Sequence, residues 1–343
     1  VDDGLASRVR RPVALAASVD GKRLYVANAR SGSLSVVDPH SARVVAEHDV
    51  GRALADVAPL PDGRRLVALD RGADALVVLE ALGDSVRVVG RLGVAPDPVT
   101  VLVAADGRSC TVASLRSRRL TFVDLPGETN EPSVRGTLEL PFSPRNMVMA
   151  GGETHLVVAD AFGGKIAVVD RQRDKLVSVR NLQAHNIRGL SVTADGRTLV
   201  VAHQVLRRQA KTDFEDVHWG RLLTSHLRSL RMEAVLAPGT DDDLLQGGCM
   251  IELGFTGEGA GDPAGLVCHR SGVLAVALAG VDEVAFGRSP SGYFRRFPVG
   301  RQPTALAINA DGKTAYVADT GDDSVSIVSV DSGRRTGVVS LGP

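Results

Sequence analysis

Cysteine is scarce. The three in 343 residues, Cys110, Cys249 and Cys268, form no Cys-x-x-Cys pair, and no Cys-x-x-Cys-His occurs, so these residues carry no dithiol redox motif and no haem attachment site. Net charge is absent as well: 40 basic residues balance 40 acidic ones, which excludes the basic footprint of a nucleic-acid-binding or anionic-membrane-binding surface. No apolar run reaches the roughly 18 residues of a membrane span, and no basic-then-apolar signal segment opens the chain. Val1 in the place of an initiator methionine is expected of a processed precursor, and export followed by signal removal would account for it. What is present is a 44% hydrophobic share with 23% charged residues, enough to bury a sizeable core and too apolar for disorder.

One phrase recurs. Ser18-Val-Asp-Gly-Lys-Arg-Leu-Tyr-Val-Ala-Asn28 returns as Asp62-Gly-Arg-Arg-Leu-Val-Ala-Leu-Asp70, Asp106-Gly-Arg-Ser-Cys-Thr-Val-Ala-Ser114, Asp195-Gly-Arg-Thr-Leu-Val-Val-Ala-His203 and Asp311-Gly-Lys-Thr-Ala-Tyr-Val-Ala-Asp319. A period in the forties built of short strands predicts an all-β, seven-bladed β-propeller of four-stranded antiparallel blades. The repeats are counted at Gly21, Gly63, Gly107, Gly152, Gly196, Gly272 and Gly312, spaced 42, 44, 45, 44, 76 and 40 residues apart. Asp-Gly between apolar runs predicts a two-residue hairpin turn. The blades fall at about 11–51, 52–95, 96–142, 143–184, 185–254, 255–300 and 301–343 of one domain. In the first, strands are expected from Val13 to Ser18, Arg23 to Ala27, Ser33 to Asp38 and Arg43 to Asp49. Second strands such as Leu199-Val-Val-Ala202 are apolar throughout, as expected when both faces are covered. Third strands are read as ending on Asp38, Glu80, Asp124, Asp170 and Glu252. Cys110 lies in a strand as a small buried hydrophobe, and Cys249 and Cys268 fall on neighbouring blades and could pair if the protein is exported to an oxidising compartment. Residues 1 to 9 are placed beside the outer edge of the last blade, which finishes with its own strand at Arg335–Leu341.

The fifth blade is about 30 residues too long. Its insertion, about 204–247, follows the second strand, and Leu223, Leu227 and Leu230 at i, i+4 and i+7 predict a helix from Trp219 to Leu236, with Arg221, Arg228 and Arg231 interleaved. Asp213, Glu215 and Asp216 precede it, and Pro238-Gly239 stops it. Loops entering the first strand and leaving the second share one propeller face around the channel mouth. That rim collects Arg11, Asn28, Arg52, Asp70, Arg145, Asn146, Asp160, His185, His203, Arg301 and Asp319. Such a crowded ring also needs polar side chains simply to satisfy backbone groups. The fifth blade adds imidazoles: His185, His203, and His218 and His226 on the insertion, beside Asn186, Arg188 and Trp219. Imidazoles at a channel mouth suit a metal or a proton relay.

Tyr25-Val-Ala-Asn28 and Tyr316-Val-Ala-Asp319, each with Asp-Gly-Lys upstream, resemble the repeats of YVTN-family seven-bladed propellers over essentially the whole chain. His185-Asn-Ile-Arg-Gly-Leu190, Val201-Ala-His-Gln204 with its long insertion, and Val338-Val-Ser-Leu-Gly-Pro343 are similar to the propeller half of bacterial exported proteins that carry a cytochrome c peroxidase-like or MauG-like haem domain. The resemblance implies a periplasmic or extracellular protein with no cofactor in this chain, docking a c-type haem on a further domain or a partner. Histidine-rich copper propellers and tryptophan-docked quinone dehydrogenases fit less well, the rim being mostly Asp, Asn, Arg or Ser and the chain holding one Trp. Two functions follow. One is a non-catalytic platform that binds a protein or ligand through the fifth-blade insertion. The other is a channel-mouth enzyme of lactonase, lyase or metal-dependent hydrolase type, with His185 or His203 as base and Arg188 or Arg145 holding an anionic substrate.

Overall fold

The computed structural model describes residues 9–125, 127, 131–218, 220, 222–255 and 257–342. Trp219, Arg221 and residues 1–8 of the proposed edge segment 1–9 lie outside the described residues. Seven four-stranded antiparallel sheets make up the chain, each with its strands in sequence order. These blades span 12–49, 54–93, 98–139, 144–181, 185–252, 263–298 and 303–340.

The repeated glycine works differently from a two-residue turn. In the first blade the Gly21 amide donates to the Ser18 carbonyl, the Ser18 amide donates to Arg23, and the Asp20 carboxylate accepts from the Lys22 amide and the Ser18 hydroxyl. The loop therefore has four residues, and only its glycine is left-handed, at φ 71°. The same pair of backbone bonds recurs at Leu60, Ala104, Thr193 and Asn309. Asp before Gly supplies the carboxylate that ties the loop, which is why the dipeptide repeats.

Second strands are buried from both sides. Val200, Val201 and Ala202 are wholly inaccessible, as are Val67, Ala68 and Leu69. Each such Val or Leu contributes about 1.5–3 kcal/mol of burial, and alternation disappears because neither face meets water. The chain forms two compact units, 1–144 with 299–343, and 145–298. In the first unit, Leu15, Val26 and Val37 of the first blade pack with Tyr316, Ala318 and Ile327 of the seventh. The Asp323 carboxylate there accepts from the amides of Arg10 and Arg11 at 3.0 and 2.6 Å. The seventh blade's outer strand, Arg335–Ser340, is its own. In the second unit, the fourth and fifth blades share one core through Val157, Val168, Val201 and Leu230, and the fifth and sixth share another through Val200, Leu227, Val276 and Leu278.

The fifth blade corrects the predicted helix. Leu223–Arg231 is the third strand, paired along its length with Thr198–Leu206. Leu227 packs toward the sixth blade and Leu230 toward the fourth, so the leucine spacing served opposite faces of a doubly covered strand and no helical stripe. Cys249–Glu252 is the fourth strand, so Glu252 closes the outer strand and not the third. The extra residues consequently split between two ends of the blade. One excursion, 207–222, carries helix α1 (Phe214–His218). The other, 232–248, carries α2 (Met232–Leu236) and α3 (Asp241–Leu245). Met232, Val235 and Leu244 bury this second excursion against the fourth and fifth blades, and Arg180 Nη1 donates to the Ala234 carbonyl at 2.8 Å. All three cysteines are free, Cys110 buried and Cys249 exposed; Cys249 and Cys268 are not joined.

Candidate functional site at the fifth blade

The polar residues that end second strands are fasteners. Asp70, 1% exposed, accepts from the amides of Arg52 and Ala53 and of Gly72, at 3.1 to 3.2 Å. The Asp319 carboxylate accepts from the hydroxyls of Ser324 and Ser326; burial pushes it up to about 6, against those hydrogen bonds. The Asn28 amide donates to Ser33 and Ser35, and Asp160 accepts from the Phe162 amide at 3.2 Å. Gly51 and Gly300 let the backbone pass over Asp70 and Asp319, where a Cβ would lie 2.3 and 2.5 Å from carboxylate atoms. Arg301 pairs with Asp322. In the fourth blade, Arg145 and Asn146 are half-buried on the first strand, Pro144–Ala150.

In the fifth blade the histidines separate into three places. His203 and His226 face each other across the second and third strands, their rings stacked with centroids 5.8 Å apart and planes at 21°. They are 0% and 3% exposed. His203 Nδ1 bonds the Gln204 carbonyl at 3.0 Å, while its buried Nε2 has no hydrogen-bond partner. Burial, helped by the nearby Arg228 charge and by His226, pushes His203 down to about 4. Burial also lowers His226, opposed by Glu252. A wholly buried imidazole reaches no substrate, so His203 is not placed to act as a base. His185 sits elsewhere, its Nδ1 on the Phe162 carbonyl at 2.9 Å. His218, at the end of α1, stacks on Phe214 with centroids 5.1 Å apart. Among the described residues no group of three or more His, Cys, Asp or Glu is placed to hold a metal.

Asn186 and Arg188 do come together, with a residue the sequence reading passed over. The Asn186 amide donates to Gln204 Oε1 and Asp262 Oδ1, both at 3.1 Å, and Arg188 pairs with Asp262 Oδ2. Asn186 and Asp262 both have left-handed backbones, at φ 49° and 48°, a conformation their short polar side chains tolerate. Asp262 thus ties the loop entering the sixth blade to the first strand of the fifth. Arg188 has its charge engaged there. Gly189 permits this close approach: a Cβ on it would lie 2.6 Å from that of Leu266 and 2.8 Å from that of Ala202.

Between that loop and the protruding 198–231 hairpin lies a cavity of about 480 Å³, a size suited to a small molecule or a long side chain. Its polar wall is Gln204, His218, Thr224, Ser225 and Glu252, and its apolar wall Val217, Leu223 and Phe255. Glycines 254, 257, 259 and 261 form the remaining side. Thr224 Oγ1 is 2.7 Å from His226 Nε2, so the cavity wall is anchored to the stacked imidazoles. Of its apolar lining, Val217, Leu223 and Phe255 are 55%, 47% and 55% exposed, and Phe214, stacked on the lining residue His218, is 79% exposed. The glycine density of 254–261 was the signal for this wall in the sequence. Gln204, Thr224, Glu252 and Phe255 carried no signal until strand register aligned them.

No protein-family model and no curated protein matches the chain. Solved structures do. Hydrazine synthase of Kuenenia stuttgartiensis is similar over 94% of this chain and 96% of that one, with a TM-score of 0.81 and 18% identity. The β-propeller domain of Cps50 (Swd1) from Myceliophteria thermophila matches over 94% and 99%, with a TM-score of 0.67 and 13% identity. A functionally unknown protein from Desulfotomaculum acetoxidans matches over 93% and 96%, at 0.68 and 12%. The fold is a seven-bladed β-propeller. At these identities the likeness is one of fold, and function rests on the site.

Proposed function

We propose that this propeller is a non-catalytic binding platform of an exported, periplasmic or extracellular protein, and that the face bearing the 207–222 excursion captures a protein carrying c-type haem, as a partner or a further domain. The carrying observation is the exposed apolar wall of Val217, Leu223 and Phe255 at the fifth-blade cavity, with exposed Phe214 stacked on the lining residue His218. Apolar side chains gathered at a concave mouth on a rigid scaffold mark a binding surface. The haem partner rests on the resemblance at 185–190, 201–204 and 338–343, and the relationship to YVTN-type propellers on that at Tyr25–Asn28 and Tyr316–Asp319. The polar second-strand ends support a platform better than a channel-mouth enzyme, since Asp70, Asp319 and Asn28 spend their hydrogen bonds on their own blades.

Leu206 and Leu223 are directly paired across the hairpin, so residues 207–222 can be replaced by Asn-Gly, which closes a two-residue turn. The shortened protein is expected to keep its far-ultraviolet spectrum and cooperative melting. It should lose binding of a c-type cytochrome from the same exported fraction, followed by Soret absorbance in size-exclusion chromatography. Undiminished co-elution would defeat the proposal.

A further inference from the structure

We propose that the fifth-blade cavity is a receptacle for a basic side chain, lysine or arginine, which a docking protein inserts beside Glu252; this rests on the platform reading above. Among the described lining residues Glu252 is the one carboxylate, and none of them is a lysine or arginine. Its ion pair with Arg207 is loose, at 3.9 Å with both side chains about half exposed, so a cation entering the cavity meets a carboxylate that is poorly neutralised. Phe255, three residues on, adds an exposed ring on the same cavity, and a cation over an aromatic face gains further attraction. Thr224 and Ser225 line the cavity, and a hydroxyl can accept an additional proton of an ammonium or guanidinium.

Shape agrees with charge. Gly257 and Gly259 line the cavity, and a Cβ built on either meets nothing within 4 Å. That side is therefore smooth backbone, with room for an alkyl stem to lie along it. The far wall is held in place by strand pairing, because His226 stands opposite Glu252 on the neighbouring strand and holds Thr224. Anions are disfavoured by Glu252. A neutral polyol would use the hydroxyls but gain nothing from the carboxylate charge or the aromatic face of Phe255.

The test uses the whole chain and four probes: N-acetyl-lysine methylamide, N-acetyl-arginine methylamide, the neutral isostere N-acetyl-norleucine methylamide, and glucose. Binding is read from amide shifts of Glu252, Phe255 and Gly257. Both cationic probes are expected to bind, and both uncharged ones to bind at least about tenfold more weakly, the size of a charge-assisted hydrogen bond. E252Q should weaken the cations roughly tenfold or more, and F255A about threefold, with melting temperatures unchanged by either surface substitution. Equal binding of norleucine and lysine probes, preference for glucose, or indifference to E252Q would each overturn the assignment. The two proposals fail separately. Cation binding together with full cytochrome capture by the 207–222 replacement removes the platform reading, whereas lost capture without cation binding removes only the receptacle.

Discussion

Between pH 7 and pH 4 the stability difference between the wild-type protein and H203L is expected to shift by about 3 kcal/mol in favour of the variant. His203 has an ordinary pKa of 6.5 and is pushed down to about 4 in the fold, chiefly by burial. A lowered imidazole pKa means the unfolded chain binds the proton first. The stability it supports is whole above 6.5, falls as the pH drops, and is lost by the time the folded pKa of about 4 is passed. Leucine has a similar volume and does not titrate, so the variant escapes this loss. The comparison is made as a difference because other groups run the opposite way. Asp319 and Asp56 are pushed up by burial to about 6 and about 7, so each favours the folded state below 3.8 and loses that advantage as the pH rises through its folded value. Both proteins carry them, and they cancel. Urea denaturation of the two proteins at pH 7, 5.5 and 4 checks the result; parallel pH profiles would show that His203 is not held neutral by the blade.

The second large effect is at Asp70. Asp70→Ala is expected to cost on the order of 3–5 kcal/mol, because it leaves three backbone amides without their acceptor in a buried corner. Those amides belong to Arg52, Ala53 and Gly72, so the substitution unties the entry to the second blade from the end of its own second strand. Asp70→Asn is expected to recover only part of the loss, since one carboxylate oxygen becomes an amide donor facing another donor. Guanidinium denaturation at pH 7 measures both. A loss under about 1 kcal/mol for the alanine variant would mean that water replaces the carboxylate, and that these strand-end residues are available for other work.

The blades were legible because the repeat is a local device. Asp before Gly closes the first loop in five blades, with Gly151-Gly152 and Ser271-Gly272 standing in the other two, and the following strand is apolar on both faces, so sequence spacing alone counted seven. The long blade was misread for a related reason. A strand covered on both sides buries Leu227 and Leu230 in two different cores, and their three-residue spacing is also that of a helix face. Only pairing with Thr198–Leu206 separates the two. The imidazoles were legible as residues of one blade but not as separate places: His203 and His226 meet across strands, His218 rides on α1, and His185 reaches back to the fourth blade. The cavity was illegible because it is assembled from Gln204, Thr224 and Glu252 on three strands and from a glycine loop whose contribution is the absence of side chains.

Site-specific photocrosslinking tests the platform claim most directly. A benzophenone side chain at Phe214 of α1 or Phe255 of the cavity wall, both exposed, is compared with one at Val177, an exposed position on the outer strand of the fourth blade, in the exported fraction of the producing cell. The account predicts a haem-staining adduct from positions 214 and 255 and none from 177. Adducts without haem, or equal haem-bearing adducts from all three positions, would contradict it.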